Sequence, residues 1–230
     1  TTAFSMLMES MGNIPVSKHS SLIRTIAIEL ERAAIHTGDL SALCTDIAYQ
    51  EGSAVLQGLR TILINTFLIW NGNRFARRLI RVGANPFPIN EQIKNTILKN
   101  LEKFEFQFNE IVDFMLNDPG VLARFEDTGI VTNEQAQKMQ FVGMAARTCG
   151  IPRDIRKSHP YETFKEIKHT PICLETGDVF ARAMLRRLEV TQSLQYIRTL
   201  LKENEQEEIS RINEIKLQAN VFSIAITEGW

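Results

Sequence analysis

The 230-residue chain has almost no net charge, because 26 Lys and Arg are set against 27 Asp and Glu, a formal −1. Without a basic surplus there is no global electrostatic case for nucleic acid as a partner. The three cysteines, Cys44, Cys149 and Cys173, form no Cys-x-x-Cys pair and are odd in number. That disfavours a disulfide framework and favours a reducing compartment. No apolar run approaches the ~20 residues of a membrane span, so no direct span is expected. The first residues carry neither the basic start nor the long apolar stretch of a secretory signal. Repeats and low-complexity segments are absent too. With 44% apolar residues the chain can bury a substantial core. A single domain over 1–230 is the reading adopted.

Periodicity predicts a mainly α fold, a bundle of long helices with a few short strands near 79–88 and 210–228. Residues 3 to 11 read as a helix closed by Gly12, Asn13 and Pro15. Ser17, Ser20 or Ser21 could cap a second helix with Leu22, Ile26, Leu30 and Ala33 on one face, interrupted at Gly38. From Gly52 to Trp70 apolar residues cover more than one face, which predicts a central helix. Asn90 caps a helix with Ile93, Ile97, Leu101, Phe104, Phe108, Ile111 and Met115 in register. A short helix begins at Asn133, and a last long one runs from about Asp178 to Asn204. Ile212, Ile215, Leu217, Val221, Ile224 and Ile226 alternate enough for two short strands. Both ends look cut, as if the chain were the central part of a larger subunit.

The stretch from Arg147 to Tyr161 has neither a helical nor a strand period, and Gly150, Pro152 and Pro160 break it up. It nonetheless concentrates Arg147, Arg153, Asp154, Arg156, Lys157, His159 and Tyr161. Such a loop is either a solvated excursion or a scaffolded site in which fixed charges act. The small apolar residues from Ala136 to Ala146 and the helix start at Asp178 anchor both flanks, which favours an ordered site. Arg32, His36, Asp39 and Asp46 could form one polar line, and a solvated face is the simpler reading. The functional one is a cavity wall whose carboxylates exchange protons. Arg186 interrupts an apolar line of Val179, Ala183, Val190, Leu194, Ile197 and Leu201. It either snorkels outward or is paired. The paired reading is preferred, with Asp154 or a partner subunit as its counterion.

The pattern Arg-x-x-Gly-x-x-x-Asp-x-Arg followed by Pro-Tyr resembles the signature of one large family. That family comprises the catalytic large subunits of nickel–iron hydrogenases of the membrane-bound type and the 49-kDa subunit of NADH:quinone oxidoreductase. Further likenesses lie in Glu29-Leu30-Glu31-Arg32 through His36, in Gly72-Asn73-Arg74-Phe75, in Ile80-Arg81-Val82-Gly83, and in Gly177-Asp178-Val179-Phe180-Ala181-Arg182. They are collinear over essentially the whole chain. Family members usually carry Ser where this chain has Cys149, and Ala84 replaces a second glycine.

The resemblance implies electron transfer across a subunit interface, between the iron–sulfur cluster of a small partner subunit and either a nickel–iron centre or a quinone cavity. His36 and Asp46 would belong to the wall of that cavity. In the quinone-reducing branch the aspartate matching Asp46 holds a histidine that would precede Thr1. Arg74, Arg147, Asp154, Arg156 and Arg186 would form an interior charged network near the iron–sulfur partner, its cationic charge setting the local potential. The fragment itself would hold no cofactor and no metal, since the family binds nickel by four cysteine thiolates that these cysteines do not match. Alone it would be catalytically silent. Partners would be the small iron–sulfur subunit and membrane-arm subunits, and NAD binding is among the properties the resemblance implies for the complex. The place implied is peripheral, on the cytoplasmic side of the inner membrane. Ala76 stands where the quinone-reducing branch has a histidine beside the cluster, and Glu228-Gly229-Trp230 is closer to the hydrogenase branch. The hydrogenase reading is therefore ranked first, the 49-kDa subunit second, and a non-catalytic hydrogenase-like scaffold third.

Overall fold

A computed structural model describes residues 1–84, 86–204 and 215–230. Its frame is four long helices. The first of these, α2 (Lys18–Asp46), follows the shorter α1 (Thr2–Gly12). Ser17 caps α2 by accepting from the Ser20 amide at 3.0 Å, and Asn13 closes α1 in the left-handed conformation. Next come α3 (Gln50–Asn71) and α4 (Glu91–Asn117), the latter capped by Asn90 through the Ile93 amide at 2.8 Å. Between α4 and the last long helix the chain makes only short pieces: α5 (Pro119–Phe125), α6 (Asn133–Lys138), α7 (Gly143–Arg147), α8 (Ile155–Ser158) and a 3-10 turn (Glu162–Lys165). A capping box of Thr132 and Gln135 starts α6. The last long helix, α9 (Val179–Glu203), is capped by Asp178.

The main core joins Ile26, Leu30, Leu56, Leu63, Phe104, Phe108, Val190 and Leu194, contributed by all four long helices. Each such side chain removed from water contributes about 1.5–3 kcal/mol before the entropy of ordering it is subtracted. A second, smaller core of Ile28, Tyr161 and Phe164 holds the polar loop against α2. The most enclosed helix is α2, not the Gly52–Trp70 helix expected to be central. Residues 22 to 30 of α2 are buried on every side, whereas α3 leaves Leu68 and Ile69 exposed. Nor does α2 break at Gly38. The lack of a side chain there brings the Arg60 stem of α3 within 3.0 Å of where a Cβ would sit, so the glycine serves close packing.

Two further expectations are corrected. The strands near 79–88 reduce to a single antiparallel bridge between Arg81 and Ala84. Of the tail strands, Ile212 lies outside the described residues, and 215–230 forms no strand, with a turn at 219–220 where Asn220 takes φ 60°. By length and composition α3 could cross a bilayer, which the run-length reading did not anticipate. Its packing is that of a core helix, with Leu56, Leu59, Leu63 and Phe67 buried.

Candidate functional site

The polar loop closes on itself and on the approach to α9 through backbone hydrogen bonds. Gly150 N–H donates to the Leu174 carbonyl at 2.7 Å, Leu174 N–H to that of Arg147 at 2.8 Å, and Gly177 N–H to that of Thr148 at 2.9 Å. Asn133 clamps the Cys149 carbonyl at 2.6 Å from α6. The segment entering the loop is less packed than its composition suggests. Ala136 and Ala146 are buried, but Met139 and Val142 are exposed.

Inside this frame lies a network of fully buried charges. Arg156 binds Asp154 twice, through Nε to Oδ1 at 3.0 Å and Nη2 to Oδ2 at 2.6 Å, and its Nη1 reaches Glu29 of α2 at 3.3 Å. Arg147 grips Glu189 of α9 through Nε at 3.1 Å and Nη2 at 2.8 Å. Its Nη1 binds Glu228 at 2.6 Å and faces Asp154 at 3.6 Å. Arg32 joins Glu29 at 2.8 Å and Ser193 at 2.9 Å, and lies 3.4 Å from Glu189. His36 Nε2 meets Glu189 at 2.7 Å, and its Nδ1 has no hydrogen-bond partner among the described residues. His169 bridges Asp154 at 3.0 Å and the Tyr196 hydroxyl at 2.9 Å. Glu228 also accepts from the Ile155 amide at 2.8 Å. The guanidinium of Arg156 stands 5.8 Å over the Phe164 ring. Such a network ties together α2, the loop, α9 and the segment around Glu228.

Burial alone would raise the Asp154 carboxyl, but hydrogen bonds from His169 and Arg156 outweigh it and hold the group far below the usual carboxylate range. Glu189 is lowered in the same way, burial being outweighed by the His36 hydrogen bond and the charges of Arg32 and Arg147. For His36 burial dominates, and the imidazole is pushed below its ordinary value despite Glu189. An unfolded chain therefore takes up a proton at His36 that the folded one resists, so acid lowers stability from about pH 6.5 downward. The two carboxylates contribute stability above about pH 4 that fades as pH falls toward their lowered folded values. Denaturant melts between pH 7 and pH 5 should show a loss of stability, and His36→Gln should flatten that slope. An unchanged slope would take His36 out of the network's titration.

The structure brings Arg147, Asp154 and Arg156 together, as the sequence suggested, and places the other candidates elsewhere. Arg186 is paired, but with Asp39 of α2 at 3.0 Å rather than with Asp154. Arg74 is exposed on the turn after α3, apart from the network. His36 is completely buried on the inner face of α2, whereas Asp46 is exposed and lines an open groove of about 570 Å³ between α2 and α3 with Asp39, Thr45 and Arg60. The expected surplus of cationic charge is not found within this network. Arg32, Arg147 and Arg156 face Glu29, Asp154, Glu189 and Glu228, so their field is answered internally. Sequence reasoning missed the roles of Glu29, Glu189, Glu228, His169 and Tyr196. Glu189 and Ser193 were accessible to it, since Glu189 stands three residues after Arg186 and Ser193 four beyond that, along the buried face of α9.

The donor set does not fit a nickel–iron centre. Cys44 is buried on α2 against the Met115 sulfur at 3.2 Å, while Cys173 Sγ donates to the Arg147 carbonyl beside the polar loop. Among the described residues no three His, Cys, Asp or Glu side chains cluster as metal ligands.

The family described as the 49 Kd subunit of respiratory-chain NADH dehydrogenase matches residues 46–222. Among similar proteins, an NADH-quinone oxidoreductase subunit of Ehrlichia ruminantium (strain Welgevonden) is 29% identical over 200 residues, covering 86% of this chain and 51% of its own length. A chloroplastic NAD(P)H-quinone oxidoreductase subunit of Barbarea verna is 31% identical over 199 residues, 84% of this chain and 49% of its own. Its counterpart in Chloroherpeton thalassium, another NADH-quinone oxidoreductase subunit, is 26% identical over 201 residues, 87% of this chain and 46% of its own. The chain thus spans about half the length of the curated relatives it matches. These relatives favour the quinone-reducing reading over the hydrogenase reading that the sequence ranked first. That ranking leaned on the loss of one histidine at Ala76 and on the likeness of Glu228-Gly229-Trp230, two local features that count for little beside an alignment of this length.

Proposed function

The chain belongs to the family of the 49-kDa subunit of respiratory-chain NADH dehydrogenase, and from that premise we propose that it forms the central part of the large subunit of a quinone-reducing oxidoreductase complex. Electrons from NADH would reach quinone through an iron–sulfur cluster held by a small partner subunit, beside the cavity this chain helps to enclose. Its own residues hold no redox group. Their work is to fix the helices that line the cavity and to move or hold protons at its wall. The complex would sit peripherally on the membrane, joined to membrane-arm subunits.

The observation that carries this reading is the buried network. It fixes α2 and α9 against the family's signature loop, and so holds the α2 wall of the α2–α3 groove in place while charge moves beside it. In that groove Asp46 is exposed and makes no ion pair among the described residues, as suits a group that exchanges protons with a bound quinone. His36 lies on the buried face of the same helix, away from the groove, and acts as a positioning group through Glu189.

The test is purification of the complex from its native membranes through a tag on this chain. NADH-dependent quinone reduction should accompany the tagged chain. Asp46→Asn should lower the turnover by about a hundredfold, the low end for loss of a proton-transfer group, with assembly intact. Hydrogen evolution and stoichiometric nickel instead would return the chain to the hydrogenase branch. Assembly without either activity would make it a scaffold.

A further inference from the structure

One guanidinium of the α2–α3 groove has no ion pair of its own. Arg60 of α3 is exposed and meets no carboxylate among the described residues, although Asp39 and Asp46 line the same groove. Asp39 is taken by Arg186 at 3.0 Å. Arg60 is nonetheless held in place. A Cβ at Gly38 would lie 3.0 Å from its Cδ and Nε and 3.8 Å from its Cζ, and these are the nearest atoms it would meet. A glycine inside a long helix such as α2 lowers stability relative to alanine. What this one makes room for is the Arg60 side chain, laid across α2.

The same face of α2 runs on to Asp46. Ile35, Gly38, Ala42 and Asp46 recur at helical spacing and all line the groove. Asp46 lies eight residues beyond Gly38, a rise of about 12 Å along the helix axis. Ala42 stands midway, and its small side chain leaves the floor between them clear. A six-membered ring with an oxygen at each end, plus one hydrogen bond of about 2.9 Å at each oxygen, bridges a gap of this size. The groove volume of about 570 Å³ admits such a ring. One end offers a donor that stays cationic, and the other a carboxyl group that can carry a proton. Two carboxylates would repel the charge that reduction puts on the ring oxygens, and two guanidiniums would supply no proton.

We infer that Arg60 holds one quinone oxygen while that oxygen gains negative charge, with the ring lying over Ala42 and its far oxygen at Asp46. The assignment rests on the reading of this chain as a quinone-reducing subunit, and it names the residue that orients the substrate in its groove. Two electrons originating in NADH and two protons convert both C=O groups of the ring to C–OH. Asp46 passes a proton to the oxygen beside it and is reprotonated from water. The oxygen at Arg60 takes its proton from water, after the guanidinium has held its charge.

The test uses the complex purified through this chain and two small probes: a hydroxybenzoquinone, which is anionic at neutral pH, and its neutral methyl ether. Calorimetric titration without NADH should show the anion binding more tightly. Arg60→Ala should abolish that preference and lower kcat for quinone reduction by about tenfold or more, as for loss of one hydrogen bond to a charged group, with a smaller change in KM. Arg60→Lys should restore part of both. Gly38→Ala should keep or raise the melting temperature, since alanine suits a helix, and yet lose the anion preference as its methyl displaces the Arg60 stem. If Arg60→Ala fails to assemble, Gly38→Ala and Arg60→Lys carry the test. Equal binding of the two probes by the parent, or a preference kept by Arg60→Ala or Gly38→Ala, would overturn the assignment. Quinone reduction left unchanged by Arg60→Ala would sink this inference and leave the proposed function standing. An anion preference lost with Arg60, in a complex that reduces no quinone, would keep the site and remove the quinone-reducing reading.

Discussion

Asp154→Ala is expected to lower the unfolding free energy by about 3–5 kcal/mol, the cost of breaking a buried ion pair by removing one partner. The size follows from what is stranded. Asp154 takes two hydrogen bonds from the Arg156 side chain and one from its amide, a fourth from His169, and faces Arg147 at 3.6 Å. Without it, Arg156 keeps only the 3.3 Å contact to Glu29 and the ring of Phe164. Asp154 is also the N-cap of α8, so the amide of Arg156 loses its acceptor. Replacing Asp154 and Arg156 together by apolar residues should cost less than Asp154→Ala alone, because the charge that Asp154 leaves behind is removed with it. Denaturant melts of the three proteins give the comparison. A loss near zero for Asp154→Ala would mean that the loop's charges are solvated.

Gly177→Ala should be comparably damaging by an unrelated mechanism. Gly177 has φ +65°, and a Cβ there would lie 2.1 Å from the Val131 carbonyl oxygen, a backbone atom that cannot swing aside. The left-handed conformation costs an alanine about 1–2 kcal/mol, and overpacking adds about 1–3 kcal/mol. Relief would require separating two segments held by Val131 N–H to the Gly177 carbonyl and Val179 N–H to the Thr128 carbonyl. The damage should reach the network, because the same turn sets the start of α9 and so the position of Glu189. Thermal melting measures the loss. A variant within about 0.5 kcal/mol of the parent would place Gly177 among ordinary surface positions.

Those two residues mark what could be read from the sequence and what could not. Helix boundaries were legible where side chains cap their own helix. Ser17, Asn90 and Asp178 announce α2, α4 and α9 by chemistry that is local in the chain. Phe104 and Phe108, four apart and stacked at 5.1 Å, show how directly period gives packing. Leu79 to Val82 misled because a β-like run needs a neighbouring strand to become one, and here the nearest backbone belongs to a turn. Gly38 misled because its meaning lies in the approach of α3, a tertiary fact.

In the site, the loop's own arginines and aspartate were visible as a concentration of charge. Their partners were not. Glu29 comes from 127 positions away, and Glu228 from 81 positions beyond Arg147. Arg186 was expected to be paired with Asp154 or a partner subunit, and it is paired with neither but with Asp39, which the pattern on α9 could not point to. Tyr161 was read as a member of the loop. Its ring closes the small core against Phe164 with centroids 5.3 Å apart, and burial pushes its phenol up to about 12.

Native-state hydrogen exchange at three amides reports most directly on whether the loop is held inside the helical frame. Gly150 donates to Leu174, Ile155 to the Glu228 carboxylate and Arg156 to Asp154. Held by the network, all three should exchange only through opening events about as costly as global unfolding, in step with the amides of α2 around Leu30. Exchange at the rate of an open surface loop, with α2 still protected, would contradict the account.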